Sequence, residues 1–262
     1  MAVELPHLDY PAEERSDEPP LLMAHGLFGS ARNFHTIAGK LAARRRVIAV
    51  DMRSHGSAPW GEAGYEAMAA DLAHAVERLA GGRARVLGHS MGGKAAMGLA
   101  LSRPELVDAL VVADIAPLTY RHSHIETIRG MQAVDLDRVR RRSDAEQALA
   151  EAVPEKQLRL FLLQNLVIED GRARWRIDLE GLGEGMDRLI GWPGDWPRDS
   201  YDGPTLFLHG GASDYVPPES HPRIRGLFPH AEIEAIDGAG HFLHAEKPAE
   251  FTDAVDRWLS AL

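Results

Sequence analysis

Two side chains in this 262-residue chain, a serine and a histidine, have the chemistry needed for acyl transfer. Ser90 lies in the stretch Gly-His-Ser-Met-Gly at 88–92, which fits the G-x-S-x-G pattern of a nucleophile elbow. Such an elbow is a strained turn between a strand and a helix, and its glycines let the two backbones pass closely. The pattern predicts an exposed serine hydroxyl at the start of a helix, where the helix dipole stabilises negative charge.

The base that this serine requires must come from another part of the chain. A serine hydroxyl attacks a carbonyl carbon efficiently only when a neighbouring base accepts its proton. His241 is the candidate, because it lies in a glycine-rich loop between the apolar run 231–236 and the final helical pattern 248–259. Its position completes the chain order serine, acid, histidine that is typical of such elbows. We therefore predict that Ser90 is the nucleophile and that His241 is the general base.

Two backbone N–H groups are candidates for an oxyanion hole. The N–H of Met91 follows the serine directly, and that of Leu27 lies in a glycine-bearing loop after the apolar run 21–24. Donors at these positions would stabilise the negative oxygen that forms when the serine attacks a carbonyl. The polar stretch 51–55 in the next loop is interpreted as structural, with buried polar groups that brace the loop.

Short apolar runs alternate with helical patterns along most of the chain, which indicates a parallel sheet with helices on both faces. The expected strands are 21–24, 47–51, 86–87, 106–115, 204–208 and 231–236. The alternation stops between about 118 and 200, where short helical stretches and an Asp-Gly turn replace it. We predict a core formed by 1–117 and 201–262 and a mostly helical insertion at 118–200.

The composition excludes several classes of function. Acidic residues outnumber basic ones, 39 to 29, and the formal charge of −10 argues against nucleic acid or an anionic membrane as a partner. The chain contains no cysteine, so a disulfide, a thiolate nucleophile and a cysteine-based zinc site are excluded, and no metal site is predicted. Neither a signal peptide nor a membrane-spanning run is present, so a cytoplasmic protein is expected. The sequence leaves open whether the protein is a monomer or a homodimer.

Five ordered motifs together resemble the α/β-hydrolase fold, and most closely the small bacterial carboxylesterases of the YbfF type and their mitochondrial abhydrolase relatives. The motifs are 25–30, 51–56, 88–94, 114–117 and 240–241. The resemblance implies an eight-stranded, mostly parallel sheet with helices on both faces and an inserted helical cap over the site. It also implies hydrolysis of small acyl esters or thioesters without a cofactor.

The acid that orients His241 is not fixed by these patterns. Most members of this fold have it after the strand that follows the cap, in a G-x-x-D-x-x-V-P pattern. In this chain Ser213 stands where that pattern has the acid, and Asp214 comes one residue later. Neighbouring side chains of an extended loop point in different directions, so Asp214 would need a shifted loop. We favour Asp114, at the end of the strand after the elbow, because its Asp-Ile-Ala-Pro context resembles the YbfF-type relatives. Asp214 remains the alternative, and Ser213 is a candidate auxiliary residue.

Other activities of the same fold share a serine and a histidine. A carbon–carbon bond hydrolase and a cofactor-free haloperoxidase are the alternatives among enzymes, and a non-catalytic protein that binds small molecules is the alternative outside them. The insertion is expected to supply apolar side chains to an acyl pocket. The candidates are Leu158, Phe161, Leu162, Leu166 and Trp192.

Overall fold

The fold is organised around one seven-stranded sheet, within residues 1–13 and 16–262 that the computed structural model describes. The strands in chain order are β1 (His7–Tyr10), β2 (Leu21–Ala24), β3 (Val47–Val50), β4 (Ala84–His89), β5 (Val107–Ala113), β6 (Leu166–Glu169), β7 (Arg172–Trp175), β8 (Thr205–Gly210) and β9 (Ala231–Ile236). The sheet has the order β1-β3-β2-β4-β5-β8-β9, whereas β6 and β7 form a separate hairpin. Only β1 is antiparallel to its neighbour in the large sheet.

Helices connect the parallel strands, because parallel neighbours require crossover connections. The helices are α1 (His35–Leu41), α2 (Tyr65–Leu79), α3 (Met91–Ser102), α4 (Ile125–Gln132), α5 (Arg142–Leu149), α6 (Lys156–Leu162), α7 (Leu179–Glu184), α8 (Met186–Ile190), α9 (His221–Leu227), α10 (Leu243–Glu246) and α11 (Pro248–Leu259). The helical pattern at 248–259 therefore has the bounds that the sequence predicts.

Both faces of the sheet are buried, as the continuous apolar strands predict. Successive residues of β2 point to opposite faces: Leu22 joins an apolar cluster with α2 and α3, and Met23 joins a second cluster with α1 and α11. All four residues of β2 and of β3 are buried. The sheet therefore forms a rigid middle layer, and the loops at the carboxyl ends of its strands can hold side chains in fixed positions.

The sheet contains seven strands in the described residues, one fewer than the resemblance implies. Only β1 precedes the first parallel strand, β2. Residues before β1 contact α2 and the core. The N–H of Val3 donates to the Asp71 carboxylate of α2 at 2.7 Å, and Leu5 is buried in the core. These contacts hold Val3 and Leu5 against α2 and the core, and the described residues contain no strand before β1.

The chain between β5 and β8 departs from strand and helix alternation. It contains α4 to α8 and the β6–β7 hairpin, which turns at Asp170 and Gly171. The capping-box pattern at 143–146 predicts a helix from 147, but α5 begins five residues earlier, at Arg142. The Asp144 carboxylate accepts the backbone N–H groups of residues 140 and 141, which caps the start of this helix. Among the described residues, no helix combines the length and apolarity needed to cross a bilayer.

Candidate active site

The elbow predicted at Ser90 is a sharp turn between β4 and α3. Ser90 has φ 52° and ψ −117°, a left-handed conformation that costs energy for a residue with a side chain. A Cβ atom at Gly88 would collide with the backbone of Gly92, and one at Gly92 would collide with the carbonyl of Ala24. Glycine is therefore required at both positions, and the turn directs the serine hydroxyl out of the sheet.

A continuous hydrogen-bond chain links Ser90, His241 and Asp114. The Oγ of Ser90 lies 3.1 Å from Nε2 of His241, and Nδ1 of His241 lies 2.7 Å from Oδ2 of Asp114. Asp114 is fully buried directly after β5, and its Oδ1 accepts the Gly210 N–H at 2.9 Å. The three side chains come from three loops at the carboxyl ends of β4, β5 and β9, the edge where sites of open parallel sheets assemble.

The two candidate acids lie in different environments. Asp214 is exposed, and the aspartate that contacts the imidazole is Asp114. The hydroxyl of Ser213 donates to Oδ2 of Asp114, the oxygen that also contacts His241. The structure therefore brings together the favoured aspartate and the candidate auxiliary serine, and it leaves the alternative aspartate outside the cluster.

The backbone N–H groups of Leu27 and Met91 lie at the wall of the cavity that contains Ser90. Within the described residues, neither N–H donates to a protein acceptor. Both N–H groups therefore remain available to donate to a ligand, and their role as an oxyanion hole stays a prediction.

Two buried histidines brace the loop that carries Leu27. Nε2 of His55 accepts the N–H of Phe28 at 3.1 Å, and Nε2 of His25 accepts the N–H of Met52 at 2.9 Å. Burial lowers the pKa of His25 to about 4 and that of His55 to about 3, so both rings are neutral acceptors at physiological pH. These bonds connect the loop after β2 with the loop after β3 and hold the backbone beside Leu27.

Two residues that contact His241 had no signal in the sequence analysis. The ring of Tyr215 stacks on the imidazole, and Nε2 of His89 donates to the His241 carbonyl at 2.8 Å. Burial lowers the pKa of His89 well below its usual range, which keeps this ring neutral. Tyr215 lies two residues after Ser213 in the 210–217 loop, and this proximity to the candidate auxiliary serine is its one local clue.

The space around Ser90 consists of two cavities that meet at the serine. The small lobe, of about 40 Å³, is lined by residues of α3 and α8 together with Tyr65 and Tyr120. The large lobe, of about 220 Å³, lies between the loop after β2, His241 and α6. Leu27, Tyr215 and His124 border both lobes.

Only part of the predicted apolar set from the insertion reaches the site. Leu158 and Phe161 of α6 line the large lobe. Leu162 and Leu166 are buried in the core cluster of the insertion instead, and Trp192 packs against Trp196. Successive residues of a helix lie about 100° apart, so adjacent Phe161 and Leu162 face different surroundings.

The family model that describes the α/β hydrolase fold matches residues 19–248. The chain belongs to the α/β-hydrolase fold family. It is 44% identical over 251 residues to sn-1-specific diacylglycerol lipase ABHD11 of Mus musculus, which covers 92% of this chain and 81% of the relative. It is 35% identical over 251 residues to esterase YbfF of Escherichia coli (strain K12), which covers 95% of this chain and 96% of the relative. A solved structure described as a marine microorganism esterase has a TM-score of 0.92 and 32% identity, covering 98% of this chain and 100% of that chain.

These matches confirm the predicted fold class and the resemblance to YbfF-type esterases. The relatives are named as an esterase and a lipase, both of them hydrolases. This α/β-hydrolase is therefore an enzyme of the esterase and lipase group.

Proposed function

We propose that this α/β-hydrolase cleaves carboxylic esters and thioesters through a triad of Ser90, His241 and Asp114 and an acyl-enzyme intermediate. The observation that carries the proposal is the hydrogen-bond chain from the Ser90 hydroxyl through both imidazole nitrogens to the buried Asp114. Its geometry suits a nucleophile, a base that accepts its proton, and an acid that orients the base.

In the proposed first step, Oγ of Ser90 attacks the carbonyl carbon while Nε2 of His241 accepts the hydroxyl proton. The N–H groups of Leu27 and Met91 stabilise the oxyanion, and His241 then donates the proton to the departing alcohol or thiol. In the second step, water transfers a proton to His241 and attacks the acyl carbon. His241 then donates this proton to Oγ of Ser90 as the acyl–oxygen bond breaks, which releases the carboxylic acid and restores both residues. Asp114 holds the imidazole in the required tautomer, and Ser213 supports Asp114. No cofactor is required by these steps.

Residues 118–200 are proposed to act as a cap that selects the substrate. Residues from this segment line both lobes, namely Leu158 and Phe161 in the large lobe and α8 in the small one. None of the five groups assigned to the chemistry belongs to the segment, which favours a role in binding. The large lobe is mostly apolar in its lining, as expected for a pocket that accepts a hydrocarbon chain.

A fluorophosphonate probe and p-nitrophenyl acetate hydrolysis test the proposal. We expect Ser90→Ala to abolish labelling and to lower kcat by at least about 10³-fold, because triad members act as a unit. Ser57→Ala, which changes an exposed serine, is the control and should behave as the wild type. Labelling without ester or thioester hydrolysis would favour a carbon–carbon hydrolase or haloperoxidase, and a lack of labelling in the wild type would favour a binding protein.

A further inference from the structure

A buried lysine stands beside the proposed nucleophile and has no role in the triad. Lys94 lies in the first turn of α3, and its backbone N–H donates to the Ser90 carbonyl at 3.0 Å. Only 1% of the residue is exposed, and its side chain lines the small lobe. Ser90 lines the same lobe. The ammonium group therefore borders the same cavity as the serine hydroxyl.

The groups around this ammonium carry no negative charge. Nζ of Lys94 donates to the carbonyl of Ile190 at 3.1 Å and to the carbonyl of Gly191. It also lies 4.7 Å from the centre of the Tyr120 ring and 5.3 Å from that of Tyr65. In the part of the chain that the structure describes, no carboxylate lies within 4.0 Å of it. An ammonium has three N–H donors, so the two carbonyl bonds leave one donor for a ligand.

A cation buried without a counter-ion is costly, and such sites are often functional. Burial lowers the pKa of Lys94 to about 7, and no nearby acid opposes this effect. The carbonyls at the carboxyl end of α8 and the two ring faces compensate for only part of the cost, because they are dipoles and quadrupoles. An anion in the small lobe would supply the missing full charge.

The other polar groups of the small lobe are largely satisfied by each other. The Tyr65 hydroxyl donates to the Leu189 carbonyl at 2.6 Å, and the Tyr120 hydroxyl donates to the Tyr215 carbonyl at 2.7 Å. Nε2 of His122 lies 2.8 Å from the Tyr215 hydroxyl. The Lys94 ammonium is thus the charged donor that a ligand entering this lobe would meet.

We infer that the small lobe is a carboxylate subsite, and that the enzyme prefers esters or thioesters of short dicarboxylic acids with one free carboxylate. This inference rests on the proposed function and specifies its substrate class. The carbonyl carbon is bound at Ser90, and the free carboxylate pairs with the third N–H of Lys94. Because the lobe is small, about 40 Å³, we assign it the shortest links between the two groups, one or two methylene groups, as in monoesters of malonic and succinic acid. Hydrolysis adds water and releases the dicarboxylate and the alcohol.

Two pairs of substrates of matched shape test the subsite. Monoethyl succinate is compared with ethyl 4-methylpentanoate, and monoethyl malonate with ethyl 3-methylbutanoate, because an isopropyl group has the shape of a carboxylate without its charge. The measured quantity is the ratio of kcat/KM within each pair. We expect the wild type to prefer the charged member, and Lys94→Met to lower the ratio about 10- to 100-fold, the usual effect of a charged hydrogen bond. Lys40→Met, on the exposed side of α1, is the control and should leave the ratio unchanged.

An equal ratio in the wild type and in Lys94→Met would overturn the inference, including the case in which both kcat/KM values fall together. That result would show that Lys94 only braces α8. If Lys94→Met does not fold, inhibition of the wild type replaces the variant. Succinamate, which has one free carboxylate and an amide in place of the ester, should then inhibit p-nitrophenyl acetate hydrolysis more strongly than the uncharged 4-methylpentanamide does, and equal inhibition would contradict the subsite. Continued Ser90 labelling and acetate hydrolysis would show that the proposed function stands even when the subsite fails.

Discussion

The Tyr215 ring lies parallel to the His241 imidazole, with the two ring centres 3.8 Å apart and the planes inclined by 18°. Tyr215 is itself held by the insertion, because its carbonyl accepts the Tyr120 hydroxyl at 2.7 Å and its own hydroxyl contacts His122 at 2.8 Å. The orientation of the proposed base therefore depends on contacts between the core and the segment between β5 and β8. A tyrosine face also stabilises a cation above it, so the imidazolium that forms during proton transfer is favoured.

Substitutions of Tyr215 should separate the effect of the stacked ring on kcat from the effect of the tyrosine hydroxyl. We expect Tyr215→Leu to lower kcat about 2- to 13-fold, because an aromatic stack is worth roughly 0.5–1.5 kcal/mol beyond its buried area. Tyr215→Phe keeps the ring and should retain most of the turnover. Steady-state kinetics with p-nitrophenyl acetate measures both variants. An equal loss in the two variants would assign the effect to the hydroxyl and its bond to His122 instead of to the stack.

Asparagine substitutions test the assignment of the acid. Asp114→Asn keeps the shape of the side chain but removes its charge, and we expect turnover to fall about 10²- to 10⁴-fold because the imidazole loses its tautomer and its counter-ion. Asp214→Asn is the matched control at an exposed position and should have little effect. Circular dichroism verifies that both variants fold. If Asp214→Asn lowers kcat more than Asp114→Asn does, the acid is Asp214, in the loop after β8.

Adjacent residues of α6 should have separate effects. Phe161 lines the large lobe, so Phe161→Ala should change the preference among esters that differ in the length of their alcohol, since the small lobe is assigned to the acyl group. The neighbouring Leu162 is fully buried, and Leu162→Ala should lower the free energy of unfolding by about 2–5 kcal/mol without changing that preference. If Phe161→Ala instead alters the preference among acyl lengths and not among alcohols, the large lobe binds the acyl group and the small lobe binds the alcohol.

The preference for charged substrates should depend on pH through Lys94. Its pKa of about 7 means that the ammonium is present below this pH and is lost as the pH rises through it. A bound carboxylate favours the protonated form, which extends the preference somewhat above pH 7. The remaining titratable groups of the lobe are Tyr65, Tyr120, Tyr215, His122 and His124, all with pKa values that burial moves away from this window.

The measurement is the kcat/KM ratio for monoethyl succinate over ethyl 4-methylpentanoate between pH 6 and 9. Taking the ratio cancels the ionisation of the general base, which affects both substrates alike. We expect the ratio to fall across this range in the wild type and to stay constant in Lys94→Met. A constant ratio in both proteins would argue that the ammonium does not meet the substrate.

Local sequence was sufficient to predict the parallel strands and the sharp turn at Ser90. The elbow glycines lie within two residues of Ser90, so a short sequence pattern is enough to identify the turn. The continuous apolar runs likewise indicate strands that are buried on both faces. The strand at 231–236 has the bounds that its pattern predicts, and the order of loops along the chain indicated His241. The outer strand implied by the resemblance is absent from the described sheet, and Val3 bonds to Asp71 across 68 residues of chain.

Only the tertiary structure decided which side chains share the site. Residue spacing in the loops favoured Asp114 as the acid but could not identify it, because the contact between Asp114 and His241 joins residues 127 positions apart. The stack of Tyr215 on His241 and the uncompensated charge of Lys94 likewise depend on segments that meet in space, and no local spacing encodes them. A sequence pattern reports the periodicity of one element, whereas partners, burial and lobe volume arise when elements pack together.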